Sequence, residues 1–405
     1  MSFKRYILLQ FAIMIVTSIC AQNATSSPSS RFGYGELNNN LPGAYRAMGG
    51  LGLGMRSNKV INPAQPASYT ACDSMTFMFD VAGSFLYTNY GDAYGERNKV
   101  NGNLEYLTMQ FPIWRQHIAM SFGVNPYSAV GYDFALTDSI NSDYYYTQSY
   151  TGFGGFTQVY GGVSFNICDW IALGANAYYM FGSIEQSRGL NFTDASLDSV
   201  RLVEVLTVNS LRLRYGIQLF HTFGKHSIAM GGVFENKHPF SRMNYEQIEI
   251  TTSDTITLND HGYEMPMMYG VGLSYAYNNR ILVGADYMCH DWANAKYFGA
   301  TNSLRVRHRW ALGAEYRNDP TSRKYIDQLY WRLGVNYTTA YTNRYNEAEL
   351  GISAGIGFPL RTANTVINAT LEYGKRGSKD VLKENYLRLV INASISEHWF
   401  FKRKL

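Results

Sequence analysis

The chain has 405 residues, and its formal net charge of +4 is spread thinly over a sequence in which 16% of residues are charged. Such a small, dispersed charge excludes a nucleic-acid-binding protein, which would carry a concentrated basic patch. Aromatic residues make up 15% of the chain, with 33 Tyr, although the mean hydropathy of −0.22 is that of a soluble protein. This combination is typical of an outer-membrane β-barrel, whose polar lumen offsets its apolar outside. A secreted all-β sandwich is the alternative that composition leaves open.

The N-terminus has the features of a secretory signal peptide over residues 1–21. Lys4 and Arg5 give a positive start, and the apolar stretch that follows is too short to span a bilayer. Cys20 would also suit a lipoprotein, but Ile19 stands where a lipobox needs a small residue. Residues 22–32 are rich in Ser, Thr and Asn and predict a flexible leader. The mature protein is therefore expected outside the cytoplasm.

Residues 72–401 alternate apolar with polar or small side chains, which is the period of β-strands. Residues 211–219, for example, place Leu, Tyr and Ile on one face and Arg212, Arg214 and Gln218 on the other. Short turns alternate with longer polar segments, near residues 125–150 and 186–205 among others, and no further stretch is apolar enough for a spanning helix. The sequence predicts an all-β fold, a transmembrane antiparallel β-barrel of about fourteen strands in a Gram-negative outer membrane.

Two groups of arginines are predicted to face the lumen of this barrel. Arg212 and Arg214 share the inner face of one strand, and Arg305, Arg307 and Arg309 share that of another. A basic stripe would attract an anionic group. An internal network of ion pairs that fills the barrel is the other interpretation, and the sequence does not decide between them.

No residue pattern predicts a catalytic or metal site. No nucleophile, base and carboxylate are tied together in a motif, so the chain is not expected to be an enzyme and no cofactor is expected. Three cysteines, Cys72, Cys168 and Cys289, remain after processing, and their odd number and wide spacing fit neither a disulfide framework nor a metal motif. Pairing of Cys72 with Cys168 stays open.

Residues 33–71 are rich in Gly, Asn and Pro and show little alternation, so they predict a hatch inside the barrel, with an ordered arm outside it as the alternative. The segment with Arg46, Gly49, Gly50 and Gly52, followed by Asn62-Pro63-Ala64, resembles the N-terminal hatch of the FadL family. Downstream, Phe111-Pro112-Ile113 and Asn125-Pro126-Tyr127-Ser128 resemble the branch of that family common in Bacteroidota.

The resemblance implies a fourteen-stranded outer-membrane barrel that takes up hydrophobic or amphipathic small molecules such as long-chain fatty acids. Passage would follow a shift of the hatch and lateral exit through a break in the wall. Other relatives serve as partner barrels in protein secretion or outer-membrane assembly complexes, and this is the alternative function. Expected partners are outer-membrane lipid, a hydrophobic ligand and possible proteins, without nucleic acid. Both termini are expected in the periplasm, with residues 402–405 as a basic tail.

Overall fold

The computed structural model describes residues 25–39, 41–91, 95–141, 144–192, 199–249, 254–258, 262–319, 322–343, 348–360, 365–378 and 382–398. The predicted signal peptide (residues 1–21) and the basic tail (residues 402–405) lie outside the described residues.

Fourteen antiparallel strands form a closed barrel, as the alternation predicted. Each strand pairs with its neighbours along the chain, and the last pairs with the first. The strands are β1 (Thr76–Gly91), β2 (Glu96–Trp114), β3 (Ile118–Asn141), β4 (Tyr144–Cys168), β5 (Ile171–Phe192), β6 (Val200–Phe223), β7 (His226–Glu235), β8 (Met267–Tyr277), β9 (Ile281–Asp291), β10 (Arg307–Tyr316), β11 (Tyr330–Thr338), β12 (Glu349–Pro359), β13 (Val366–Ser378) and β14 (Leu382–His398).

The two faces of this wall follow from the period of two. On β6, Leu211, Leu213 and Tyr215 are exposed on the outside, whereas Arg212 and Arg214 are buried on the inside. Exposed aromatic side chains ring both ends of the apolar outer band, as at the two interfaces of a membrane. One ring includes Tyr87, Tyr215, Tyr269, Trp310, Tyr337 and Tyr373, and the other Trp114, Trp170, Phe223, Tyr277, Tyr316 and Trp331. No helix among the described residues is long and apolar enough to cross a membrane.

The wall is much taller on one side than on the other. Strands β3 to β6 have 22 to 25 residues, whereas β7 to β12 have 9 to 11. About 9–11 residues suffice to span a bilayer, so the tall side extends well beyond the aromatic rings. Residues 125–150 and 186–205, predicted as long loops, are therefore mostly paired strand, because neighbouring strands satisfy their backbone groups.

Short elements complete the chain. They are the 3₁₀-helices Pro28–Arg31, Pro66–Ala71 and Tyr325–Gln328, the helical turn Gly43–Arg46, the strand Glu36–Leu37 on β3, the strand Arg242–Glu249 on β6 with Asp254–Leu258 beside it, and the pair His238–Pro239 and Glu264–Met265.

The N-terminal chain enters the barrel from its tall end. Residues 25–39, the leading segment, contact the upper ends of β3, β13 and β14. Residues 41–72, the inner segment, then descend through the lumen to the short-turn end, where β1 begins. His398, at the end of β14, lies opposite Thr76 at this same end. The first and last described residues thus lie at opposite ends of the barrel. The termini themselves lie outside the described residues, so their periplasmic location stays a prediction.

The leading segment also corrects the prediction of a flexible leader at residues 22–32. Its described part, residues 25–32, holds the buried side chains of Thr25, Ser27 and Ser30. The hydroxyl of Ser27 donates to Glu384 Oε1 at 2.5 Å, and that of Ser30 donates to the carbonyl of Gly131 at 3.3 Å. The composition of residues 22–32 predicted flexibility. It could not show these hydrogen bonds, because the partners lie more than a hundred residues away in sequence.

Candidate functional site

The inner segment packs directly against the backbone of the wall. A Cβ atom added to Gly334 would lie 1.9 Å from the amide nitrogen of Gly49, and one added to Gly231 would lie 1.8 Å from the carbonyl oxygen of Leu53. At Gly313 the nearest atom would be the carbonyl oxygen of Met48, at 2.3 Å. Inward-facing glycines therefore let the inner segment touch the strands, with no room for a side chain between them.

The glycines of the predicted hatch motif make this packing possible. Gly49 and Gly50 have φ values of +69° and +73°, a conformation that residues with a Cβ rarely adopt. The Gly49 amide donates to Ser353 Oγ at 2.9 Å, and Arg46 donates to Glu105 Oε2 at 2.5 Å. The turn at these residues is thus fixed to two sides of the barrel.

Asp286, on the inner face of β9, is the principal anchor of the inner segment. Its Oδ2 accepts the amides of Gly52 and Leu53 at 2.6 and 2.8 Å, and its Oδ1 accepts that of Gly54 at 3.3 Å. Three successive backbone donors on one buried carboxylate hold this turn in one position.

The Asn-Pro-Ala motif supplies the second half of the attachment. Asn62 Nδ2 donates to the Gly52 carbonyl at 2.6 Å, which ties the two motifs together. The Pro63 carbonyl accepts from Asn176 and Tyr178, both at 3.0 Å, and the Ala64 carbonyl lies 3.4 Å from Arg214 Nη1.

Four of the five predicted lumen arginines face inward. Arg212 and Arg214 share the carboxylate of Glu235 on β7, with 2.7 Å from Arg212 Nη1 to Glu235 Oε2. Arg309 donates to the carbonyls of Gly49 and Gly50 at 2.5 and 3.1 Å. Arg307 is buried as well.

The prediction for Arg305 was wrong. Arg305 precedes β10, is exposed and donates to Asn343 at 2.8 Å. Since the strand begins only at Arg307, the alternation that places Arg307 and Arg309 inside does not reach it.

Two large cavities in the described part of the lumen are lined by charged side chains. One of about 710 Å³ lies below the inner segment at the short-turn end, with Arg56, Asp73 and Arg317 in its lining. The other, of about 480 Å³, lies between the inner and leading segments. We call the second cavity the upper chamber.

The upper chamber reaches the wall where two strands separate. Strands β2 and β3 pair only up to Leu107 and Val124. Above this level the described residues of β2 pair with β1 alone. Those of β3 pair with β4 and, at Ser128 and Ala129, with the strand Glu36–Leu37 of the leading segment. Glu105 is bulged inward and Pro126 has no amide to donate, so the ladder ends at these residues. Residues 104–106 and 124–126 line the chamber at this opening, the wall gap.

An aromatic cluster closes the tall end above the chamber. Tyr34 of the leading segment lies at its centre, with ring centroids 5.3 to 6.5 Å from those of Phe156, Phe240, Tyr263, Trp292 and Tyr297. These rings pack together with Met180, Ile184 and Met265. The leading segment therefore acts as part of the upper seal.

Sequence reasoning did not find the acidic partners Glu105, Glu235 and Asp286. Each is an isolated carboxylate in a strand, and its inward register was the only signal. Within the described ranges, no group of three His, Cys, Asp or Glu side chains is placed to hold a metal ion. Cys72 and Cys168 are both free thiols and do not pair.

Comparison with known sequences decides the family. The sequence model of the family described as BamG matches residues 3–405, almost the whole chain. The chain belongs to the BamG family. Compared with curated proteins by sequence, it has no match.

Solved barrels with the same fold come from the FadL family and related channels. A monoaromatic hydrocarbon channel, CymD, superposes with a TM-score of 0.60 at 13% identity, covering 89% of this chain and 98% of its own. The toluene transporter TbuX of Ralstonia pickettii gives 0.58 at 14% identity, with 88% and 98% covered. A FadL homologue of Pseudomonas aeruginosa gives 0.58 at 12% identity, with 90% and 99% covered. Identities this low show a shared fold.

Proposed function

We propose that this protein is an outer-membrane barrel whose lumen is blocked by its own inner segment, and that it serves as a structural subunit of an outer-membrane protein complex for secretion or assembly. The observation that carries the proposal is the inner segment. Its backbone touches inward-facing wall glycines, and Asp286 binds three of its amides. A hatch that must shift with each substrate would have to break these buried contacts, each costly to leave unsatisfied.

The chemistry of the lumen supports the same proposal. Apolar ligands favour sites lined mostly by hydrophobic and aromatic side chains. Both lumen cavities instead contain charged groups such as Arg56, Glu105 and Arg376. Moving an apolar molecule past these groups would cost their solvation without any compensating interaction.

The tall side of the wall offers a surface for a partner. Strands β3 to β6 have roughly twice the residues needed to cross a bilayer. The upper halves of these strands form a paired sheet beyond the membrane, a rigid platform for contacts with another protein. The proposal includes a location in the outer membrane and export directed by the N-terminal signal peptide.

Affinity purification from mild detergent, followed by mass spectrometry, tests the proposal. We expect proteins in stoichiometric amounts with the tagged barrel and none with the untagged chain. A variant that lacks residues 134–150, with the hairpin of β3 and β4 rejoined by an Asn-Gly turn, should stay folded and lose partners that bind the tall side. Recovery of the barrel alone would contradict a structural role in a complex.

Uptake of a hydrophobic small molecule is the second candidate function. The wall gap between β2 and β3 favours it, because the gap connects the upper chamber to the side of the barrel. Solved relatives named as a hydrocarbon channel and a toluene transporter share the fold. This candidate predicts that cells with the protein take up toluene faster than cells without it, and that fixing the inner segment to the wall abolishes the difference.

A further inference from the structure

The upper chamber has an unbalanced set of charges. Five arginines and four glutamates line it, namely Arg46, Arg307, Arg309, Arg376, Arg388, Glu36, Glu105, Glu349 and Glu372. The formal charge of the lining is therefore +1. Its volume of about 480 Å³ is that of an ordinary small-molecule site.

The carboxylates are all engaged by three of the arginines. Arg46 pairs with Glu105 and Glu372, and Arg388 lies 3.4 Å from Glu372. Arg376 pairs with the other two, Glu36 and Glu349. Glu349 also accepts a hydrogen bond from Tyr386 at 2.5 Å. The two remaining arginines, Arg307 and Arg309, have no carboxylate partner.

Arg307 stands apart even from Arg309. The two terminal nitrogens of Arg309 donate to the carbonyls of Gly49 and Gly50, although its buried Nε has no partner. Arg307 is 8% exposed and lines both the chamber and the small cavity of about 60 Å³ beside it. Its side chain has no hydrogen bond or ion pair with any residue in the described part of the chain, and Glu349 attracts it only over a longer distance. A buried cation without a partner is costly, and a bound anion removes the cost.

We propose that the upper chamber binds a phosphate-type oxyanion at Arg307. The planar guanidinium of Arg307 offers parallel donors that match two oxygens of a phosphate group. The terminal nitrogens of Arg309 already donate to backbone carbonyls, so Arg309 is less suited to this role. Arg46, Arg376 and Arg388 are held in place and neutralised by carboxylates, Glu384 among them, so Arg307 remains as the available cation of the lining. This inference is independent of whether the barrel is a complex subunit or a transporter.

The wall gap gives the anion a route that does not need the inner segment to move. The last paired rung, Leu107 with Val124, lies below the level of Tyr87, which belongs to the upper aromatic ring. The lower part of the gap therefore opens below the aromatic ring of the tall end, within the depth of the membrane. A phospholipid headgroup can enter there from the side with its acyl chains left in the bilayer, and free phosphate can enter by the same opening.

The test compares three probes on the protein in a neutral detergent. Native mass spectrometry counts bound dioleoyl phosphatidic acid and bound dioleoylglycerol, which has the same acyl chains without phosphate. The thermal unfolding temperature in inorganic phosphate is compared with that in chloride at equal ionic strength. The variants are Arg307→Gln, Arg307→Lys, and Arg305→Gln as the matched control, since Arg305 is two residues away and exposed.

We expect one phosphatidic acid per barrel in the natural chain and in R305Q. We expect binding about tenfold weaker or more in R307Q, because a charge-assisted pair is lost, and partial recovery in R307K. Stabilisation by inorganic phosphate without lipid binding would support the site and assign it to the free anion. Equal binding of both probes by R307Q and R305Q would overturn the proposal. Equal affinity for dioleoylglycerol would overturn it too, and that comparison uses the unaltered chain, so it decides the matter even if R307Q does not fold.

Discussion

The inner and leading segments belong to one continuous N-terminal chain, yet they are held in the barrel by different interactions. The inner segment is fixed by backbone contacts with glycines and by three amides on Asp286. The leading segment is held by serine hydroxyls, two rungs of pairing with β3 and aromatic packing around Tyr34. Side-chain hydroxyl bonds are individually worth about 1 kcal/mol, so they can open one at a time, whereas the inner segment must release as a unit.

This difference assigns separate roles to the two segments. The inner segment fills the lumen and connects opposite walls, so it is part of the folded core. The leading segment covers the chamber and the wall gap, so any adjustment that admits a lipid headgroup is expected there. The segment that blocks the lumen and the segment that controls access to the upper chamber are thus different parts of the sequence.

The largest expected effect comes from removing the space that the inner segment occupies. Gly334→Leu would place side-chain atoms where the backbone of Met48 and Gly49 lies, and backbone cannot yield as a flexible side chain can. We expect the barrel either not to fold or to expel the inner segment. Loss of the heat-modifiable gel shift reports the first outcome, and trypsin cleavage at Arg46, Arg56 or Lys59 in the folded barrel reports the second.

Gly232→Ala is the matched control, because the nearest atom to its new Cβ is a side-chain carbon of Ile217 at 3.4 Å. It should behave as the natural chain does. A folded, trypsin-resistant G334L barrel would contradict the close packing of the inner segment.

A smaller but still large effect is expected from Glu235→Gln. The change leaves Arg212 and Arg214 buried without their shared counter-charge, at a cost of about 3–5 kcal/mol. Urea unfolding in detergent, followed by tryptophan fluorescence, measures it. Arg188→Gln breaks the pair of Arg188 with Glu204, in which the Arg188 side chain is 49% exposed, and should cost less than about 1 kcal/mol. Equal losses in the two variants would mean that the lumen pair is solvated rather than buried.

The native cysteines report access to the short-turn end of the barrel, where the inner segment ends, with the least perturbation. Burial raises the pKa of the Cys72 thiol to about 11, and only the thiolate reacts with maleimide. At pH 7 we expect Cys168, which is half-buried at a turn, to be labelled well before Cys72. Labelling of Cys72 should quicken by about tenfold per pH unit below its pKa, provided that access is not limiting.

Peptide mass spectrometry locates the label, and labelling of both cysteines in denaturant is the control. Rapid labelling of Cys72 at pH 7 would show that the end of the inner segment often detaches from the barrel wall.

The barrel was predictable because its signal is local. Alternation along residues such as Leu211 to Leu219 depends only on neighbours in sequence, and it placed Arg212 and Arg214 inside correctly. Arg305 was misplaced because alternation cannot say where a strand begins. Glu235, Asp286 and the burial of Ser27 escaped prediction because their partners are distant in sequence. Pro126 lies in a motif that resembles the FadL family. Its missing amide predicts a break between two strands only when the strand beside it is known.

Hydrogen exchange of the N-terminal backbone tests the central claim most directly. In the folded barrel, the amides of Gly52, Leu53 and Gly54 should exchange as slowly as those in the middle of the barrel strands. Amides of residues 25–37 should exchange faster, because the leading segment opens locally. This order should hold with and without toluene. Fast exchange at Gly52 to Gly54, or exchange that toluene accelerates, would contradict a fixed inner segment and would favour a moving hatch.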